Sequence, residues 1–299
     1  MRALVTGGAG FVGTNLILRL LEDGHDVVSI DNYSTGFKKN EQAGCRYWDY
    51  DLSLETNPVL EMNEYDVIFH MAALARIQPS IKNPHKTLFN NFVSTLNILE
   101  YVKKKNEKER WANKIKVVYA GSSSVHHGLY GSPYAWSKFS GEDLCKLYSN
   151  VYDMEVSICR FYNVYGPNQI EDGTYATMLG IFEKQYREGN SLTITGSGEQ
   201  RRDFTHVDDI VDGIVRASEE YFKECEIFEL GRGVNFSINE IVDMFGKDYP
   251  REYIEQRPGE YDVTLADYSH AKDLLNWKPK RNIEDYIRDF VDTERFLNE

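Results

Sequence analysis

Leu4-Val5-Thr6-Gly7-Gly8-Ala9-Gly10-Phe11-Val12-Gly13 is the stretch that decides the fold. An apolar run leads into Gly7, Gly10 and Gly13 at G-x-x-G-x-x-G spacing, and Phe11 to Leu21 continues with helical periodicity. The apolar start suits a buried parallel strand. The glycines let the backbone turn tightly and approach a pyrophosphate, whose charge then meets the helix N-terminus. Val27 to Asp31 makes a second strand that ends in an acid. Asp31 lies 18 residues beyond Gly13, close to the separation expected of a carboxylate that takes ribose hydroxyls. A glycine pattern alone is a weak signal; the first strand before it and the acid-tipped strand after it make this one strong.

Strand and helix signals alternate outward from there. Strands are predicted at Ala3 to Thr6, Val27 to Asp31, Cys45 to Tyr47, Val67 to His70, Lys116 to Ala120 and Val156 to Arg160. Helical stretches near Phe11 to Glu22, Thr87 to Lys104 and Tyr134 to Val151 separate several of them. The pattern predicts an α/β chain with a Rossmann-type doubly wound parallel sheet, helices on both faces. Lys103 to Arg110 is a mixed-charge run, read as a solvated helix end and loop. After Tyr165-Gly166-Pro167 the character changes. Residues 1–165 are expected to form the dinucleotide-binding domain, and 166–299 mainly a smaller α/β substrate-binding domain. Segments near 204–230 are expected to return to the first.

Composition narrows the function. The 299 residues carry a formal net charge of −13, which argues against nucleic acid as the main partner. An anionic small molecule would need locally placed arginines. No apolar stretch approaches the roughly 20 residues of a membrane span, and no signal peptide precedes the first strand. Cys45, Cys145, Cys159 and Cys225 are scattered without metal-like spacing, so free thiols in a reducing cytoplasm and no metal site are expected. His126-His127 has no third ligand at a suitable spacing and reads as loop.

The cofactor reading favours NAD. Asp31 accepts from a free 2′-hydroxyl and repels a 2′-phosphate, and Asn32, Ser34, Thr35 and Gly36 follow it. Asp51 can accept from the adenine amino group while Leu52 packs on the ring; equally, Asp51 can cap a helix through Ser53-Leu54-Glu55. Ala72 and Ala73, after His70-Met71, leave room for the cofactor backbone, and His70 reads as a packed, hydrogen-bonded histidine. Tyr134-Ala135-Trp136-Ser137-Lys138 opens a helix, with tyrosine and lysine one turn apart on one face. A free phenol has a pKa near 10, so roughly one in a thousand is ionised at neutral pH. A lysine ammonium and a positive nicotinamide nearby are expected to favour the phenolate, a base toward a sugar hydroxyl. Lys138 can also hold the nicotinamide ribose. Gly121-Ser122-Ser123-Ser124 supplies a hydroxyl that can donate to the same oxygen.

On these residues, together with Arg160-Phe161-Tyr162-Asn163-Val164-Tyr165-Gly166-Pro167, Arg202-Asp203-Phe204 and Arg257-Pro258-Gly259-Glu260, nearly the whole chain resembles the extended short-chain dehydrogenase/reductases, specifically the nucleotide-sugar 4-epimerases. The resemblance implies Ser122, Tyr134 and Lys138 as catalytic residues and bound NAD. It implies inversion at C4 of a UDP-hexose through a 4-keto intermediate, and a homodimer. It places Arg202 and Arg257 at the diphosphate, Asn163 near the diphosphate or sugar, Glu260 at the uridine ribose, and the small Thr264 beside the sugar's 2-substituent. Space at Thr264 implies that N-acetylated and plain hexoses are both accepted. Dehydratases of the family carry Asp-Glu after the catalytic hydroxyl residue, and decarboxylases a Glu. This chain has Ser123 and Ser124, which favours epimerisation over either alternative. Ser122 and Tyr134 are 12 residues apart, about half the usual separation in the family, so a thinner roof over the site is expected. The remaining alternative is a non-catalytic NAD-binding protein.

Overall fold

Seven parallel strands in the order β11-β6-β5-β4-β1-β2-β3 form the frame. The computed structural model describes residues 1–54, 58–108, 114–126 and 128–298. Glu55, His127 and the end of the charge run at Glu109-Arg110 lie outside the described residues. The first half runs β1 (Arg2–Thr6), α1 (Phe11–Glu22), β2 (Asp26–Asp31), β3 (Cys45–Asp49), α2 (Pro58–Glu61), β4 (Val67–His70), α3 (Ile77–Lys82), α4 (Pro84–Lys108), β5 (Lys116–Ser122), α5 (Pro133–Tyr152) and β6 (Val156–Phe161). The second half runs β7 (Val164–Tyr165), α6 (Met178–Arg187), β8 (Leu192–Thr195), β9 (Arg201–Asp203), β10 (Thr205–His206), α7 (Val207–Glu219), β11 (Glu226–Leu230), β12 (Asn235–Ser237), α8 (Ile238–Phe245), β13 (Arg251–Ile254), α9 (Ser269–Leu275) and α10 (Ile283–Asn298).

Central strands are buried on both faces, which is why they read as continuous apolar runs rather than alternating ones. One face is covered by α1, α7 and α9 around Leu16, Ile17, Ile210, Ile214 and Trp277, and the other by α4 and α5 around Ile98, Val102, Cys145 and Tyr148. The strand order reverses between β1 and β4. A crevice opens at such a switch point, outside the carboxyl ends of the strands. The chain leaves the sheet after β6 and returns to it: α7 packs against α1, and β11 pairs with β6. A third core holds Leu179, Phe182, Ile194, Ile241, Phe245 and Ile287, contributed by α6, β8, α8 and α10.

Local chemistry moves several boundaries from their predicted places. α4 begins at Pro84 rather than Thr87, since proline suits a helix's first turn. α6 begins at Met178 rather than at Ala176, where the helical pattern of Ala176 to Arg187 starts, because the Thr177 hydroxyl accepts from Gly180 N at 2.9 Å and caps the helix there. The sequence His206-Val207-Asp208-Asp209 reads as a helix entry with an aspartate cap for α7. The cap is His206, whose Nδ1 accepts from Asp208 N at 3.1 Å, while Asp209 instead accepts from the backbone of Lys280 and Arg281. Trp277 is buried and donates to the Asp209 carbonyl at 2.9 Å.

Candidate active site

A cleft of about 550 Å³ opens at the switch point, within the range of small-molecule sites. Its wall collects Gly7, Gly10, Phe11, Val12, Gly13, Asp31, Asn32, Ser34, Thr35, Asp51, Leu52, Ala72 and Ala73 with Ser122, Tyr134 and Lys138. Asn163, Arg202, Arg257, Glu260 and Thr264 line it as well. Gly36, expected at the cofactor, is absent from the wall. It packs behind the glycine turn, where a Cβ would stand 2.7 Å from the backbone of Ala9.

The glycine turn is shaped for a ligand's phosphates. Gly7 has φ +70°, and a Cβ there would lie 2.8 Å from Ala72 Cα on the facing strand end. A Cβ on Gly13 would lie 2.2 Å from the Gly7 carbonyl. Gly10 caps α1 without a side-chain hydrogen bond, so the first turn keeps its N–H groups for an anion. Asp31 closes the turn: one oxygen accepts from Ala9 N at 2.9 Å and the other from Tyr33 N at 2.8 Å. Burial pushes its carboxyl up, and these two amide bonds oppose the shift. Each oxygen retains a lone pair for a ribose hydroxyl. Asp51 accepts from Ser53 N and Oγ and from Asn32 Nδ2; these bonds outweigh burial and hold its carboxyl low. It stands in a turn over Leu52–Ser53, with no described helix to cap, and Leu52 is buried beside it. These features fit NAD: a cradle only glycine permits, an acid at the end of β2, and an apolar slot.

His70 is a packed histidine, as expected. It bonds Thr6 Oγ1 at 2.8 Å and Thr95 Oγ1 at 3.1 Å, and burial pushes its pKa down to about 3.

Ser132 caps α5 by accepting from Ala135 N, and Ser80 on α3 accepts from Tyr134 N at 3.1 Å. Asn91 on α4 bonds both Leu74 and the Ser137 hydroxyl, so the loop after β4 is tied to α5 beside Tyr134. Lys138 Nζ donates to the Ala120 carbonyl at 2.9 Å and lies 5.1 Å above the Tyr119 ring. Burial lowers its pKa to about 8, against the pull of Glu142. The Tyr134 phenol is raised by burial, whereas a lowered one was expected. Its hydrogen bond with Ser122 and the positive charge of Arg76 work against that burial. The cation acting on the phenol is therefore Arg76, which sequence reasoning missed. Its only signal was a lone arginine in the otherwise apolar Leu74-Ala75-Arg76-Ile77 after the fourth strand.

Three contacts in the substrate half add to the expectation. Both amide protons of Asn163 are in use, to Asp203 O at 3.0 Å and Thr264 Oγ1 at 3.1 Å. Only its oxygen is left for a ligand, which suits a hydroxyl rather than a diphosphate. Thr264 is buried and structural: its hydroxyl also accepts from Asp203 N at 3.0 Å. A tyrosine there would lose two hydrogen bonds as well as fill space. The connection from Ser122 to Tyr134 is short, and the 258–261 segment packs against it and against α3. Gln78 Nε2 donates to Pro258 O at 2.7 Å, a Cβ on Gly259 would stand 3.1 Å from Gly131 O, and Tyr261 bonds Ser132. Arg202 anchors by Nη1 to the Arg201 carbonyl, and burial lowers its pKa against the charges of Glu260 and Asp262. Arg257 is exposed at the rim. Arg201 is a surface ion-pair partner of Glu240, at 2.9 Å.

Fold and cleft together define a dinucleotide-binding protein with a Ser-Tyr-Lys set. The chain belongs to the NAD dependent epimerase/dehydratase family, whose sequence model matches residues 3–231. It is 32% identical to the UDP-glucuronate 4-epimerase of Thermodesulfobacterium geofontis over 95% of this chain and 93% of the relative. It is 33% identical to the UDP-N-acetyl-alpha-D-glucosaminuronate decarboxylase of Bacillus cytotoxicus, over 97% and 96%. The crystal structure of UDP-glucose 4-epimerase from Thermotoga maritima with UDP-glucose superposes with a TM-score of 0.88 at 27% identity, covering all of both chains.

Proposed function

We propose that this protein is an NAD-dependent epimerase that inverts C4 of a UDP-hexose. Bound NAD would supply the acceptor and donor of the C4 hydride. Gly7, Gly10 and Gly13 would receive its pyrophosphate, Asp31 its adenosine ribose and Lys138 its nicotinamide ribose. Tyr134 Oη takes the proton of the 4-hydroxyl as the C4–H bond breaks, and Ser122 donates to the same oxygen. The 4-keto sugar then rotates, and Tyr134 returns the proton as hydride reaches the opposite face. Arg202 and Arg257 would hold the diphosphate.

The observation that carries this reading is the convergence of Ser122, Tyr134 and Lys138 on the glycine cradle, with Ser123 and Ser124 in place of any carboxylate. Elimination needs an added acid and base at that point; epimerisation needs neither. A decarboxylase stands among the relatives, so the test must separate the two reactions. Incubation with UDP-glucose, UDP-GlcNAc and UDP-glucuronate, followed by mass spectrometry and sugar analysis, decides it. C4 epimers at unchanged mass support the reading. Loss of water or carbon dioxide, or no conversion of any nucleotide sugar, refutes it. The size of Thr264 supports acceptance of an N-acetyl group, which the UDP-GlcNAc arm tests.

Phe89 on α4 and Trp136, Leu147 and Val151 on α5 are exposed, and these helices pack side by side. Together with the family resemblance, they support a homodimer formed through that face. A monomeric mass by light scattering refutes it. The four free cysteines support a reducing compartment.

A further inference from the structure

We propose that Arg76 is a receptor for a carboxylate on the sugar, so that the preferred substrate is a nucleotide hexuronate. The proposal rests on the epimerase reading above and narrows its substrate class.

Arg76 stands at the N-terminus of α3, whose Ser80 holds the backbone of Tyr134. Its Nε donates to the carbonyls of Tyr175 and Ala176, at 3.1 and 3.2 Å. This bridges the loop after β4 to the substrate half and fixes the guanidinium plane. Both terminal nitrogens remain, on a side chain that lines the cleft. Among the described residues no carboxylate lies within ion-pairing distance of them, and no hydrogen bond uses them.

The other cations inside the cleft each feel the charge of a carboxylate. Lys138 feels Glu142, and Arg202 feels Glu260 and Asp262. Arg76 feels only the Tyr134 phenol. A partly buried guanidinium without a counter-charge favours an anion, and a ligand can supply one. The cleft's own carboxylates are committed elsewhere: Asp31 and Asp51 to backbone and hydroxyl donors, Glu260 beside Arg202.

The place of the anion follows from the chemistry. Tyr134 must touch the 4-hydroxyl, so a cation beside Tyr134 reaches the neighbours of C4. Those are the 3-hydroxyl and the C6 group carried by C5. Of these, C6 is the carbon that is itself a carboxylate in a hexuronate. Two free Nη groups match its two oxygens.

The experiment compares UDP-glucuronate with UDP-glucose on NAD-loaded protein, wild type against Arg76→Gln and Arg76→Lys. Wild type is expected to favour the uronate in kcat/KM by about tenfold or more, and Arg76→Gln to lower that preference ratio on the order of 30-fold or more. Arg76→Lys keeps a charge without the fork and should fall between. Calorimetric binding of the two nucleotide sugars should follow the same order, independent of turnover. A ratio unchanged in Arg76→Gln, including equal losses on both sugars, overturns the proposal; equal losses would make Arg76 a partner of Tyr134 alone. Failure of wild type to epimerise any UDP-sugar refutes the activity, whereas the binding arm still decides the carboxylate site. Thermal melts of both variants separate misfolding from lost recognition.

Discussion

Replacing Tyr134 by phenylalanine removes one hydroxyl from a ring that the fold already holds. Ser80 and Ser132 fix the start of α5 through backbone N–H groups, and neither contact involves the phenol. The lost bond to Ser122 costs about 1 kcal/mol of stability, and Ser122 keeps its bond from Ser124 N. Fold and cofactor retention should therefore survive. Turnover should not, because the phenol is the group placed to take the proton. Among the groups near the phenol, Ser122 is a weaker base, Arg76 is a cation and Glu142 is engaged with Arg160. General-base loss is expected to cost about two to four orders of magnitude in kcat, or about 3–5 kcal/mol of barrier. The pH profile gives a second reading. The phenol is raised by burial, so only a small fraction is phenolate near neutrality, and wild-type kcat should rise with pH. The variant's residual rate should lack that rise. The assay is single-sugar conversion by anomeric proton NMR, with bound NAD measured after denaturation. Turnover within tenfold of wild type, with the same pH slope, would remove Tyr134 from proton transfer.

Gly13→Ala should abolish cofactor retention, since its Cβ would meet backbone atoms of Gly7 and Gly8 at 2.2 and 2.8 Å and neither can give way; NAD copurifying at the wild-type ratio contradicts this. Asp31 should make cofactor-free protein bind NAD more tightly than NADP, and Asp31→Ala should narrow that gap; calorimetric titration finding NADP the tighter ligand would sink the assignment. Glu142→Gln should destabilise the protein by about 3 kcal/mol in denaturant melts, because it breaks a buried ion pair. That pair joins Arg160 Nη2 to a fully buried carboxylate at 2.6 Å. An unchanged midpoint would mean that Glu229, at 2.8 Å, suffices for Arg160.

The sheet was legible because its determinants are local. Val67–His70 and Phe11–Glu22 appear at their predicted bounds, since an uninterrupted apolar run and a glycine-led helix start leave few alternatives. The N-cap of α7 was misread because histidine is a rare cap and two aspartates followed it; which acceptor reaches Asp208 N depends on backbone geometry that spacing does not encode. The cofactor half of the cleft followed for the same reason as the sheet. Its residues sit at or just past the ends of β1 to β5, each beside the run that marks its strand.

The substrate half resisted because its contacts join distant segments. Asn163 and Thr264 are 101 residues apart, and only their meeting shows that Asn163 has no amide proton left for a phosphate. Arg76 is the stronger case. A lone arginine in an apolar stretch is its only local signal, and that signal says nothing of a ligand. Its meaning depends on where the carboxylates of the fold go: Glu142 to Arg160, Glu260 toward Arg202, Asp31 to the turn it closes. When each acid has a partner, the cation without one marks where a ligand's charge belongs. That inference needs the whole cleft, because an absent counter-charge is a property of a set of residues and not of any motif.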